Sequence, residues 1–246
     1  MTSCVRFSAV LLFVFAIAFF ATACGGGGDD ATYAPYFVPP TPSPNEPVLE
    51  PTADPTPDPA YENPFKGANV GDMVKFGRYP QTASGDVRYI EWRVLSVEGD
   101  KVLAISRYGL DARRFDDDSS DWENSEICIW LNGEFYEGYF NDDEKGIIAS
   151  SDPGKVFLLS SEEAEGYFSS NDDRKCAPTE YAKTNGASEY EGYCSYWWLR
   201  SPSLLDSSGS VCYVYRDGVI YNYSSLAVSY DYGSVRPALW INLESE

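Results

Sequence analysis

Y-W-W-L-R-S-P (Tyr196–Pro202) opens a stretch in which every local signal is strand or turn, and the stretch closes on S-V-R-P-A-L-W-I at residues 234–241. Between them, D-G at Asp217 and Gly218 interrupts apolar–polar alternation, the pattern of a hairpin with a two-residue type I′ turn. Upstream the period changes. Ile127, Trp130, Leu131, Phe135 and Tyr139 recur at three- and four-residue spacing, one face of a helix that Asp121 or Ser125 would cap. Asp142, Asp143 and Glu144 suit the first turn of another helix, where acidic charge complements the dipole. Residues 156–159 read as a short buried strand. S-S-E-E from Ser160 is a capping box with Glu163, opening a helix to Phe168. Pro178 and Thr179 start a further helix through Lys183, stopped by Asn185 and Gly186. Nearer the start, residues 89–97 and 101–106 flank E-G-D as a hairpin. The fold class is α+β, with antiparallel sheets at both ends and a few short helices between, after a disordered stalk.

That stalk has its own composition. Residues 25–64 hold 11 prolines and seven acidic residues with no Lys or Arg. Proline fixes φ and removes amide donors, so the segment is expected to be extended, at roughly 3.1 Å per residue, and to serve as a spacer. Before it, Arg6 precedes the apolar run A-V-L-L-F-V-F-A-I-A-F-F, which is too short for a comfortable bilayer span and matches a signal-peptide core. The run ends in A-T-A-C, which resembles a bacterial lipobox and makes Cys24 the expected lipidated N-terminus, followed by the tether G-G-G-G-D-D. The organisation read from the chain is a signal peptide at 1–23, a lipidated cysteine and stalk at 24–64, and one domain at 65–246.

The whole chain of 246 residues has 18 Lys and Arg against 38 Asp and Glu, and no histidine. A net charge of −20 repels phosphate backbones and argues against nucleic acid as a partner. Without histidine there is no Ser-His-Asp or Cys-His machine and no His-ligated metal. No catalytic constellation is recognised. Asp116, Asp117, Asp118, Asp121, Glu123 and Asn124 form an acidic cluster that could offer oxygens to calcium, but EF-hand spacing is absent and a solvated loop is the simpler account. No cofactor is therefore assigned. Cys128, Cys176, Cys194 and Cys212 allow three disulfide pairings, among which spacing does not choose.

Several strings line up in order: G-D-M-V-K-F-G-R-Y-P-Q at 71–81, I-E-W-R-V-L at 90–95, I-W-L-N at 129–132, V-F-L-L-S at 156–160, and the two closing motifs. Together they resemble domain-of-unknown-function family 6273, bacterial domains often carried by lipoproteins. The resemblance runs over nearly all of residues 65–241. It implies a C-type-lectin-like or formylglycine-generating-enzyme-like organisation, with a buried tryptophan strand beside a returning C-terminal strand. Some members resemble targets of diversity-generating retroelements, whose variable repeat lies between the two closing motifs. Mutated AAC or AAT codons cannot encode Lys, Glu, Gln, Trp or Met, and residues 203–235 contain none of the five. A surface sheet that simply favours Tyr and Ser would look alike.

Tyr and Ser supply rigid contact area and adaptable hydrogen bonds, as in antibody paratopes. The expected ligand-binding residues are Tyr213, Tyr215, Arg216, Asp217, Tyr221, Asn222, Tyr223, Ser225, Ser229, Tyr230, Asp231 and Tyr232, with Val211, Val214, Val228 and Val235 as scaffold. A two-residue turn would put Tyr213, Tyr215, Ile220 and Asn222 on one face, and Cys212, Val214, Arg216, Val219, Tyr221 and Tyr223 on the other. Arg200 and Arg236, in the closing motifs, are expected to anchor buried carboxylates or carbonyls. The functional expectation is a surface-displayed bacterial lipoprotein in the cell envelope that binds an external protein or glycan. The alternatives are an extracytoplasmic enzyme, whose thiol pair would be Cys194 and Cys212, or a structural envelope protein.

Overall fold

The computed structural model describes residues 61–205 and 209–244, all within the unit Pro57–Glu246. The expected signal peptide, Cys24 and the stalk up to residue 60 lie outside the described residues, as do residues 206–208. In chain order the elements are β1 (Met73–Pro80), β2 (Val87–Glu98), β3 (Lys101–Ser106), β4 (Asp111–Ala112), α1 (Glu126–Trp130), a π-helical turn (Leu131–Phe135), α2 (Tyr136–Tyr139) and α3 (Asp142–Ile147). Then follow β5 (Val156–Phe157), α4 (Ser161–Gly166), α5 (Asn171–Arg174), α6 (Glu180–Thr184), β6 (Glu189–Tyr190), β7 (Tyr193–Cys194), β8 (Tyr196–Pro202), β9 (Val211–Tyr215), β10 (Ile220–Tyr221), β11 (Ser234–Val235) and β12 (Ala238–Asn242). The domain is thus mixed and sheet-rich, with short helices in the middle. Among the described residues no helix is long and apolar enough to cross a membrane.

Two five-stranded sheets organise it. The first has the order β1-β2-β3-β12-β5 and is antiparallel throughout. The second has the order β10-β9-β8-β11-β4 and contains one parallel contact, where Ser234 pairs with Trp197. This departs from the all-antiparallel expectation. After β10 the chain passes through residues 222–233 before β11, and that long connection lets β11 lie along β8 in the same direction.

Local signals place most elements. Ser125, not Asp121, caps α1, accepting the Cys128 N–H at 3.3 Å. The Ser160–Glu163 capping box is reciprocal, and Asn141 with Glu144 makes a second one at α3. The helix after Ser160 ends at Gly166, two residues short of Phe168. Thr179 caps α6, and Asn185 ends it. Asn132, in the π-helical turn, hydrogen-bonds the backbone of Lys155 and Val156 and so fastens the helical segment to β5. Gly77 interrupts the β1–β2 register with φ +61°, and a Cβ there would overlap the Phe140 ring.

The main core is aromatic. Phe76, Tyr79, Trp92, Phe135 and Phe140 are buried in the first sheet and the helices over it, and the Trp92 indole donates to Phe76 O at 2.7 Å. Arg93 pairs with Asp173 at 3.0 Å and lies over the Phe168 ring. The hydrogen bond from Arg93, helped by Ser169, holds the Asp173 carboxyl down at about 2. A depressed folded pKa contributes stability that is complete above the unfolded value and is lost as pH falls through the folded one. Asp173→Asn should therefore cost about 1 kcal/mol at neutral pH, discounted for partial exposure, with the deficit vanishing between pH 4 and 2. Urea unfolding at stepped pH measures this, and a pH-independent deficit would contradict it.

Candidate functional site

The β9–β10 hairpin is built differently from the expected two-residue turn. Val214 pairs with Ile220 and Tyr213 with Tyr221, leaving a three-residue loop, Arg216-Asp217-Gly218. Tyr215 N–H donates to Val219 O at 2.9 Å, and Gly218 N–H donates to Tyr215 O at 2.8 Å. The Asp217 carboxylate accepts the Val219 N–H at 3.0 Å. Gly218 has φ +81°, the left-handed residue that such loops require. A Cβ on it would overlap the Asn171 carbonyl, while its own carbonyl accepts from Arg174 Nε at 2.8 Å. The extra loop residue shifts the register by one and exchanges the faces of β10. Ile220 falls with Val214 and Cys212 on the inner face, and Tyr221 joins Tyr213 and Tyr215 on the outer one.

On that outer face the rings of Tyr196, Tyr213, Tyr215 and Tyr221 form a continuous group. Tyr213 and Tyr221 stack with centroids 5.1 Å apart and planes 3° from parallel. Tyr215 meets Tyr221 at 5.6 Å, and Tyr196 meets Tyr213 at 5.6 Å and Trp198 at 5.1 Å. Tyr230 and Tyr232 stack on one another at 6.2 Å, close enough that they and Asp231 act electrostatically on Tyr196. Arg216 lies over Tyr190 at 4.0 Å and Tyr215 at 4.8 Å, extending the patch to the β6–β7 hairpin. Tyr221, Tyr223, Tyr230 and Tyr232 are exposed, Tyr223 most so at 68%, whereas Tyr213 and Tyr215 are half-buried.

Not every expected residue joins this group. Tyr223, Ser225, Ser229 and Asp217 are exposed, but no ring or side-chain hydrogen-bond contact connects them to the other tyrosines among the described residues. The side-chain oxygen of Asn222 is buried and unpartnered. Val211, Val214, Val228 and Val235 are all buried, as expected of scaffold.

Burial, then the neighbouring Tyr230 and Tyr232, pushes the Tyr196 hydroxyl well above the ordinary phenol range; burial and Tyr221 raise Tyr213. These hydroxyls stay protonated at neutral pH and can both donate and accept. The Tyr196 hydroxyl is buried without a hydrogen-bond partner, which costs about 1–3 kcal/mol and leaves a polar atom to be satisfied.

Beside the patch lies a cleft of about 380 Å³, lined by Ala112, Arg113, Arg114, Glu126, Ile127, Trp130, Asn185 and Asp231. Sequence reasoning found only Asp231 of these as a site residue. Asp111, below the cleft, accepts from Tyr79 OH at 2.7 Å, Asn185 Nδ2 at 2.6 Å, its neighbour Ala112 N at 2.8 Å and Arg113 Nε at 3.1 Å. Arg113 stacks over Trp130 at 4.0 Å. Arg114 is held by both Glu126 oxygens, at 2.7 and 2.9 Å, and by Asp117. No local motif marks this junction, because its members are brought together across β1, β4, α1 and α6.

The acidic cluster is engaged in its own loop. Asp116 accepts backbone N–H groups of Asp118, Ser119 and Glu126. Burial would raise its carboxyl, but these donors outweigh it and hold it below the usual range. Among the described residues no group of three or more Cys, Asp or Glu is arranged to hold a metal. Arg200 bonds Leu158 O and both Glu163 oxygens, and Arg236 bonds Ser106 O and Arg174 O, the anchoring roles expected of them. The enzyme alternative's thiols do not meet: Cys212 lies against Pro202 O, and Cys194 faces Cys176 instead.

The family model of a domain of unknown function, DUF6273, matches residues 99–243. The chain belongs to the DUF6273 family. The matched span takes in β3 through β12 and so contains the whole second sheet; β1 and β2, with the strings at 71–81 and 90–95, precede the matched residues and pair onto β3 in the first sheet. No curated protein and no solved structure matches the chain.

Gly233 borders the patch, and a Cβ there would overlap the Trp198 indole. That indole is fully buried and donates to Arg113 O at 2.9 Å, so it has no room to retreat. Gly233→Ala should destabilise the domain by about 2 kcal/mol or more, whereas Ser229→Ala should stay within about 0.5 kcal/mol. Thermal unfolding of the two variants compares them directly; equal melting temperatures would refute the packing.

Proposed function

We propose that this domain is the ligand-binding head of a surface-displayed bacterial lipoprotein. In this reading Cys24 carries the lipid, residues 25–64 project the head from the envelope, and the C-terminal patch binds an external protein or glycan. The observation that carries the reading is the outer face of Tyr196, Tyr213, Tyr215 and Tyr221, whose rings are in continuous contact, with the exposed Tyr230–Tyr232 pair as a second group. Rings with only two side-chain torsions give large contact area at small entropic cost, and their protonated hydroxyls add adaptable hydrogen bonds.

The proposal includes a C-type-lectin-like organisation. In its favour, the chain returns at β12 to the sheet in which it began, while β11 lies beside the tryptophan strand β8. It also includes diversification of residues 203–235. Buried valines and crowded glycines at 218 and 233 would there stay constant while the exposed tyrosines and serines vary. A near-identical copy of the coding DNA for this segment, differing at adenines and lying near a reverse transcriptase gene, is the expected genomic sign. Its absence removes diversification and leaves display standing.

Replacing Tyr221, Tyr223, Tyr230 and Tyr232 together by Ala tests the face. On an array of glycans and external proteins, retained signals should fall at least tenfold while the melting temperature moves by only about 3 °C, because all four side chains are exposed. Unchanged binding would refute the assigned face.

A further inference from the structure

We propose that Cys176 and Cys194 are joined by a disulfide in the mature protein. Their sulfurs are 3.4 Å apart, and Cys194 N–H donates to Cys176 O at 2.8 Å. The two backbones are therefore already fixed side by side, and side-chain rotation alone closes the remaining gap. Gly109 makes room for the pair: a Cβ there would sit 3.0 Å from Cys194 Sγ and 3.0 Å from Ser234 Cβ. The other two cysteines of the domain have no sulfur neighbour at hydrogen-bonding distance among the described residues. Cys128 lies 3.7 Å from Asn132 Nδ2, and Cys212 lies 3.3 Å from Pro202 O. The fold therefore brings together one cysteine pair, which spacing did not single out, and leaves the other two apart.

The oxidant is a disulfide donor, a protein dithiol oxidase in the cell or oxidised glutathione in a tube. The Cys176 thiolate attacks the donor disulfide, forming a mixed disulfide and releasing one donor thiol. The Cys194 thiolate then displaces the second donor thiol. One S–S bond forms in the chain as one breaks in the donor, and the two electrons and two thiol protons end on the donor's two thiols. Both cysteines are almost fully buried in the folded domain, so the exchange belongs to folding, before the intervening segment packs.

The bridge ties together positions 18 residues apart, enclosing α6 and the β6–β7 hairpin. That segment supports the exposed patch from one side: Asn185 donates to Asp111, and Gly186 lies against the Tyr232 ring. A cross-link at its two ends limits how far this support can move.

Peptide mapping decides the matter on the wild-type chain. The full chain is refolded with oxidised glutathione, alkylated in denaturant and digested with trypsin without reduction. The expected product links peptide 176–183 to peptide 184–200, while the peptide carrying Cys212 (201–216) is alkylated. Recovery of 176–183 and 184–200 as separate alkylated peptides, or linkage of either to 201–216, would overturn the proposal. As a second measurement, the oxidised wild type should melt roughly 5–10 °C above the Cys176→Ala/Cys194→Ala variant. Reductant under native conditions should leave the wild-type bridge intact, because burial shields it; rapid native reduction would count against it.

Discussion

The join between the two sheets rests on a buried guanidinium. Residues 234–242 first pair with β8 and β4 in one sheet and then, after Arg236 and Pro237, with β3 and β5 in the other. Arg236 sits at the crossing, 2% exposed, and burial pulls its pKa down. Among the described residues it has no carboxylate at ion-pair distance. It donates instead to Ser106 O at 3.0 Å and Arg174 O at 2.9 Å, and stacks between Trp197 and Phe168. A charge this deeply placed is tolerated only with its donors satisfied, and satisfying them fixes β3, α5 and β8 relative to one another.

From that crossing the rest of the second sheet follows. Trp197 and Trp198 point to opposite sides of β8. One packs against Arg236 and donates to Arg174 O; the other fills the space over Gly233 and donates to Arg113 O. With both indoles committed to backbone carbonyls, β8 is held rigidly, and the tyrosines on β9 and β10 are displayed from a surface that cannot easily deform. Buried valines and indoles thus hold a face that carries exposed tyrosine rings.

The first sheet reaches the patch through Asp111. Its buried carboxylate gathers the Tyr79 hydroxyl from β1, the Asn185 amide after α6 and the Arg113 guanidinium at the cleft. Burial and the adjacent carboxylate push the Tyr79 hydroxyl far above the phenol range, so it remains a donor to Asp111 at any physiological pH. The cleft and the ring patch thus share supports from both sheets, although they are made from distant parts of the chain.

What the amino-acid sequence determined by itself is local. The Ser160–Glu163 box, the Thr179 cap and the 101–106 hairpin each depend on groups within a few residues, and each was legible. The family was legible too, because W-W-L-R-S-P and S-V-R-P-A-L are long and unusual strings. The four valines expected as scaffold are buried, although alternation alone did not say which face of the hairpin is wet. The tertiary structure decided the rest. A carbonyl at Asn171 and a guanidinium at Arg174 meet Gly218 from more than 40 positions away, and they accompany the three-residue loop that turns Tyr221 outward. The nearness of Cys176 to Cys194, the parallel contact of β11 with β8 and the Asp111 junction likewise depend on separations that no local pattern records. Side-chain periodicity sets which residues alternate; only the packing of distant segments sets the register, and the register chooses the face.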